Sequence, residues 1–244
     1  MRYAIFSDIH GNLEAFQAVL NDITMKTIQN LVFLGDIVGY GANPKECIDL
    51  LREKTPAIVA GNHDWGVAGK TNISYFNSVA QVAIEWTISQ LNPEDKKFLA
   101  QLPLKREEKD FIYTHSTPIN PHQWNYIFSE YEAIKNLRAL TTKRICFIGH
   151  SHIPIVFVLN QSGELLFTTK LSEVILEEKN RYLINVGSVG QPRDGDPRAA
   201  YGIFDTEKRT FSLQRVDYDI SNAQRKILSA NLPPILAKRI GMGW

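Results

Sequence analysis

A chain of 244 residues is long enough to bury a core without disulfide or metal staples. Its 44% hydrophobic and 22% charged residues describe a globular protein and exclude a disordered or fibrous one. The formal net charge of +1, with mixed-sign runs such as residues 105–110 that read as solvated turns, leaves no basic footprint for nucleic acid.

Tyr3 to Phe6 reads as a buried strand ending at Ser7-Asp8. Asn12 then caps a helix whose Phe16, Val19, Leu20 and Ile23 share one face. Leu31 to Leu34 is a second strand, ending at Gly35-Asp36, and Asn43-Pro-Lys-Glu46 starts a helix that runs to about Glu53. Ala57 to Ala60 is a third strand, ending at Gly61-Asn62-His63-Asp64, and Val67 to Leu102 turns helical, with Asn92-Pro93 as a start signal. Phe111 to Thr114 is a strand ending at His115; Ser129 to Leu140 is a helix; Ile145 to Ile148 is a strand ending in Gly149-His150-Ser151-His152. Beyond Pro154 the texture is β, with Val156–Leu159, Leu165–Thr169, Tyr182–Val186, Ala200–Phe204 and Phe211–Val216, before two helical segments. Alternating strand and helix predicts an α/β fold with parallel strands and a ligand crevice at their carboxyl ends. With no repeat or linker, residues 1–244 read as a single domain.

Cys47 and Cys146 form no CxxC, so neither a disulfide framework nor a thiolate metal site is expected. The opening MRYAIFSDIH meets a charge too early for a signal-peptide core, and no later run has membrane-span length. A cytoplasmic protein with no membrane partner is the expectation; the oligomeric state is not legible.

Five strand ends carry Asp8 and His10, Asp36, Asn62 and His63, His115, and His150 and His152, a set that includes five of the six histidines. Each alone is ordinary turn chemistry. Together they supply carboxylate, imidazole and amide donors without thiolate, a set suited to manganese, iron, cobalt, nickel or zinc. Seven donors exceed one tetrahedral ion and suit two ions sharing a carboxylate. With Asp8 and Asp36 the only anions among them, such a centre stays positive and attracts phosphate.

The order D-x-H, G-D, G-N-H-[DE], H, G-H-x-H resembles the calcineurin-like metallophosphoesterases over residues 8–152. The resemblance implies a four-layer α/β/β/α sandwich of two mixed sheets flanked by helices, holding two divalent ions, manganese foremost. Carried over, Asp8, His10 and His152 would hold one ion, Asp36 would bridge, and Asn62, His115 and His150 would hold the other. The pair in CFIGHSHIP would thus divide between the ions. His63 would contact phosphate with Asn62 and act as the general acid, while a metal-bridging hydroxide attacks phosphorus. Asp64 fits two roles, orienting His63 or capping a helix.

Asn185-Val-Gly-Ser-Val-Gly-Gln-Pro-Arg193 resembles the N-P-G-S-V-G-x-P-R segment of a small bacterial and archaeal branch, with Val186 in place of proline. Arg193 fits a forked phosphate contact or a salt bridge to a nearby aspartate. Ser116-Thr-Pro118 departs from the glycine common after the family's histidine. That branch implies a small phosphodiester or nucleotide-like substrate. Trp124 and Tyr126 either stack on a nucleobase or, more commonly, pin their loop; Phe76 and Trp86 read as core. The alternatives are a protein or small-molecule phosphomonoesterase and a catalytically weak binding scaffold. Against the first, G-D-x-x-D-R-G is absent; against the second, every proposed ligand is intact.

Overall fold

The structure, a computed structural model, describes residues 1–54 and 57–244. Strand and helix alternate through β1 (Arg2–Phe6), α1 (Leu13–Met25), β2 (Asn30–Phe33), α2 (Pro44–Lys54), β3 (Ala57–Ile58) and α3 (Asn62–Val67). Next come α4 (Ser78–Gln90), α5 (Pro93–Gln101), β4 (Lys105–Glu107), β5 (Ile112–Thr114), α6 (Glu130–Arg138) and β6 (Ile145–Ile148). β7 (Ile155–Leu159), β8 (Leu165–Thr168), β9 (Val174–Ile175), β10 (Arg181–Asn185), β11 (Ala199–Asp205) and β12 (Thr210–Val216) precede α7 (Ile220–Ser229) and α8 (Pro234–Met242).

These strands make two mixed sheets, ordered β3-β2-β1-β11-β12-β9 and β4-β5-β6-β10-β7-β8. In the first, β1, β2 and β3 run parallel; in the second, β5, β6 and β10 do. Because parallel strands need crossovers, helices cover the outer faces. Alternation within each strand then assigns side chains to layers. Ile5, Val32 and Leu34 meet Tyr113, Ile145 and Phe147 between the sheets. Ala4 and Phe6 instead face Phe16, Val19, Cys47 and Leu51 of α1 and α2, and Cys146 and Ile148 face Leu137 of α6. Four layers result. Each large side chain buried between the sheets contributes roughly 1.5–3 kcal/mol, so this cluster fixes where the two sets of strand ends meet.

Asn12 caps α1 through Ala15 N, and Asn92 and Ser129 form capping boxes. Other expectations are corrected. The helical stretch from Val67 is interrupted, because Asn72 and Asn77 accept backbone N–H bonds and start a short 3-10 turn and α4, while α3 starts earlier, at Asn62. Residues 105–107 are an edge strand, held by β5 rather than by burial. Val186 lies just beyond β10, buried between the sheets. No helix among the described residues is long and apolar enough to cross a membrane.

Candidate metal centre

The parallel strands of both sheets release their polar residues into one buried cluster. Asp8, His10, Asp36, His150 and His152 all have left-handed backbone, with φ between 49° and 68°. Asp and His tolerate that region better than most residues, yet each such position costs of order 1–3 kcal/mol and tends to mark functional sites. The geometry also answers how two histidines two apart separate. Left-handed turns at both, φ 68° and 60°, override the common face that a strand would give them. Gly149 is required just before them, since a Cβ there would overlap Ser7 Oγ and lie 2.6 Å from Asp8 Oδ2.

Two donor groups form, each with atoms within 4.8 Å of one another: Asp8, His10 and His152, and Asp36, His115 and His150. His10 Nε2 lies 3.1 Å from His152 Nε2, and His115 Nε2 lies 3.1 Å from His150 Nδ1 and 3.2 Å from Asn62 Oδ1. Asp36 joins the groups, its Oδ2 being 3.6 Å from His10 Nε2 and 3.3 Å from His115 Nε2.

The outward nitrogens decide the chemistry of the inward ones. His10 Nδ1 donates to Val38 O at 3.1 Å, His115 Nδ1 to Leu34 O at 2.9 Å, His152 Nδ1 to Gln191 O at 2.5 Å, and His150 Nε2 to Trp124 O at 2.8 Å. A carbonyl only accepts, so the outward nitrogen must carry the proton, and the inward nitrogen of a neutral ring presents a lone pair. Lone pairs facing each other at 3.1 Å repel unless a cation or proton lies between them. Asp8 Oδ1, buried without a hydrogen-bond partner, faces the same space. This is the arrangement of metal-ligating histidines fixed by outer acceptors, and the residues fit divalent ions.

Electrostatics agree. Burial works to raise the Asp8 and Asp36 carboxyls, but the histidines around them outweigh it and hold both below their ordinary value. Among the described residues their ion-pair partners are all imidazoles. His115, opposed by burial, is pushed up to about 9 by Asp36 and Asp8, whereas burial first, then His115 or Arg193, drives His150 and His152 down to about 3 and about 4. Buried anions without a lysine or arginine partner call for cationic compensation.

His63 is held differently. Its ligand atom also comes within 4.8 Å of those of His10 and Asp36, and its backbone N donates to Asp36 Oδ1 at 2.8 Å. Its Nδ1, however, has no partner among the described residues and packs against Gly39, where any side chain would collide with the ring. Burial disfavours the charged form of the free ring, and a phosphate anion bound beside it would oppose that shift. Tyr40 and Phe76 flank it, with centroids 4.5 and 5.1 Å away, so Phe76 is a wall of the site rather than core alone. Asp64 makes no bond to His63. It accepts from the backbone N of Gly61, Asp36 and Ile37 at 2.8–2.9 Å, capping α3 and clamping the Asp36 loop.

Arg193 forms no salt bridge among the described residues; Asp194 and Asp196 pair with Arg215 and Arg198. Its guanidinium donates to Gln191 Oε1 at 2.8 Å and lies 5.9 Å from the Tyr40 ring centre. Trp124 meets Trp65 edge-on, and Tyr126 is sandwiched between His150 and Phe128, so both pin the loop. After His115 the loop closes through Ser116 Oγ to Pro121 O and Thr117 Oγ1 to Ile119 O. Residues 185–191 brace the site in a way the sequence does not display outright. Asn185 Nδ2 donates to Gly149 O at 2.6 Å, Ser188 Oγ to Asp8 O at 2.8 Å, and Gly190 N to Asp8 O at 2.8 Å, tying the two sheets' ligand loops together. Asn185, Ser188 and Gln191, spaced three apart among small and apolar residues from the end of a strand onward, were the available signal.

The model of the calcineurin-like phosphoesterase superfamily domain matches residues 1–209. The chain belongs to that superfamily. This phosphoesterase is 46% identical over 245 residues to the uncharacterized protein MJ0912 of Methanocaldococcus jannaschii, covering 98% of this chain and 97% of that one. It is 25% identical over 217 residues to phosphodiesterase YfcE of Escherichia coli, covering 85% and 89%. A metallophosphoesterase crystal structure from Sphaerobacter thermophilus superposes with a TM-score of 0.86 at 38% identity, covering 100% and 99%. Family and donor geometry together support a phosphoester hydrolase that depends on divalent metal.

Proposed function

We propose that this phosphoesterase is a phosphodiesterase with two divalent ions per chain, manganese first, and iron, nickel, cobalt or zinc as alternatives. Asp8, His10 and His152 hold one ion, Asn62, His115 and His150 the other, and Asp36 both. The observation that carries the reading is the pair of donor groups joined by Asp36, with His63 beside them and not tied to a carbonyl.

Bound divalent ions supply an acidified water and neutralise phosphoryl oxygens. The chain's own residues do the rest. His63, with Nδ1 against Gly39, directs Nε2 toward substrate and donates a proton to the departing oxygen; general acids of this kind contribute about 10²–10⁴-fold. Asp36, through its bond to the His63 backbone, sets that ring relative to the donors. Arg193 grips a phosphoryl oxygen, and Tyr40 walls the site.

Metal analysis after manganese loading and chelation of excess is expected to give two ions per chain; one ion refutes the paired site. Hydrolysis of a bis-aryl phosphodiester faster than of the matching monoester, abolished by chelator, is the expected activity. Preference for the monoester would instead establish the phosphomonoesterase reading, and inactivity toward both with metal bound would leave a scaffold.

A further inference from the structure

A cleft of about 700 Å³ opens from Asn62 and His63 outward, between the 70–77 segment and the loop that carries Trp124. We propose that this cleft is the leaving-group subsite, and that it takes an alcohol bearing a planar, acceptor-rich ring of nucleoside size. The proposal rests on the phosphodiesterase reading.

The side follows from His63. A proton donor must lie against the oxygen that departs, so the group attached to that oxygen occupies the space His63 lines. The size follows from the volume, which lies within the roughly 300–1,000 Å³ that encloses a drug-sized molecule. The chemistry follows from which atoms are already engaged. Asn72 Oδ1 accepts from Ser74 N at 3.0 Å and Asn77 Oδ1 from Ala80 N at 3.0 Å. Both amides are thereby oriented, and their NH2 groups, with no partner among the described residues, are what they offer a ligand. Gln123 Oε1 is likewise taken, by Asn125 Nδ2 at 3.1 Å. The Lys70 ammonium is engaged by Ala100 O at 2.9 Å and adds only its charge, and with no carboxylate among the described lining residues the amide walls donate hydrogen bonds and favour acceptors.

An aromatic platform is available too. Tyr75, on the 3-10 turn Ile73–Tyr75, is 84% exposed at the rim, whereas Trp124 and Tyr126 already pack on other rings. Ring nitrogens and carbonyls facing the amides, with Tyr75 against the ring face, satisfy both features. A plain alkyl alcohol satisfies neither, and a sugar alcohol, whose hydroxyls can accept from the amides, lacks the planar ring face.

Product analysis tests the side of the site. Manganese-loaded protein given the methyl ester of uridine 5′-phosphate is expected to add water across the bond to the nucleoside, releasing uridine and methyl phosphate; release of uridine 5′-phosphate and methanol overturns the proposal. Calorimetric binding tests the chemistry without turnover. Uridine and adenosine are expected to bind about tenfold tighter than a riboside carrying plain phenyl, and Tyr75→Ala is expected to cost the nucleosides about tenfold while metal content stays at two. Equal binding of all three, or a silent Tyr75→Ala, overturns it. Absence of all phosphodiester hydrolysis would defeat the phosphodiesterase reading, and the binding result would still decide the ligand of the cleft.

Discussion

The two sheets deliver unlike halves of one centre. Strands β1, β2 and β3 end in Asp8, His10, Asp36, Asn62 and His63, so the first sheet brings both carboxylates and the unlocked histidine. Strands β5 and β6 of the second end in His115, His150 and His152, which are imidazoles alone. The first half carries the negative charge and, on the proposed reading, the proton donor; the second would complete the coordination with neutral donors. Neither donor group is complete within one sheet, because Asp8 and His10 need His152, and Asp36 needs His115 and His150. Metal affinity should therefore report how well the sheets are docked.

Four changes break or sharpen that contrast. The largest effect is expected for Asp36→Asn, which removes a charge common to both groups: metal per chain falls toward zero and activity drops by more than about a hundredfold. By comparison, His150→Ala removes a neutral donor from the second sheet and should leave one ion with Asp8, His10 and His152. Elemental analysis of both variants checks the contrast, and two ions retained in Asp36→Asn would refute the bridge. Next, His63→Ala should keep two ions yet lose about 10²–10⁴-fold in turnover, less with an activated aryl leaving group that needs no proton. Equal loss with every leaving group would refute the acid role.

A smaller effect is expected for Ser188→Ala, which deletes the bond to Asp8 O and costs about 1–3 kcal/mol. Thermal unfolding of metal-free protein should show a melting temperature lower by several degrees, since about 2–4 °C follows each kcal/mol at this size. The smallest concerns Cys146, where burial pushes the thiol from 9.0 to about 12. A raised folded pKa means that this contribution is whole below pH 9 and is lost as pH rises through 12. Native protein should resist a disulfide reagent at pH 8 and react after unfolding; fast native labelling would contradict the burial of Cys146.

The strands that end in donors were legible because both of their faces are buried. Ile145 to Ile148 alternates between the inter-sheet cluster and α6, so the run is apolar throughout and its polar exit stands out. Strand β4 was not legible, since Lys105, Arg106 and Glu107 are exposed and it is pairing with β5 that makes them a strand. Asp64 showed a donor-like residue at a donor-like place. Only the positions of three backbone N–H groups reveal that its oxygens serve the loop. Phe76 read as core, and the turn before α4 made it a wall of the cleft.

The acceptors behind the four histidines have one further consequence. They belong to Leu34, Val38, Trp124 and Gln191, and each is a main-chain oxygen. Every amino acid supplies that atom, so no single substitution at those positions can delete it, and the tautomers are protected from point mutation at their source. Related chains can thus exchange these four side chains, within the packing each one makes, and keep the same imidazole nitrogens aimed inward. Drift in metal preference would have to come through the path of the loops, and insertions there should disturb the centre more than exchanges of residue type.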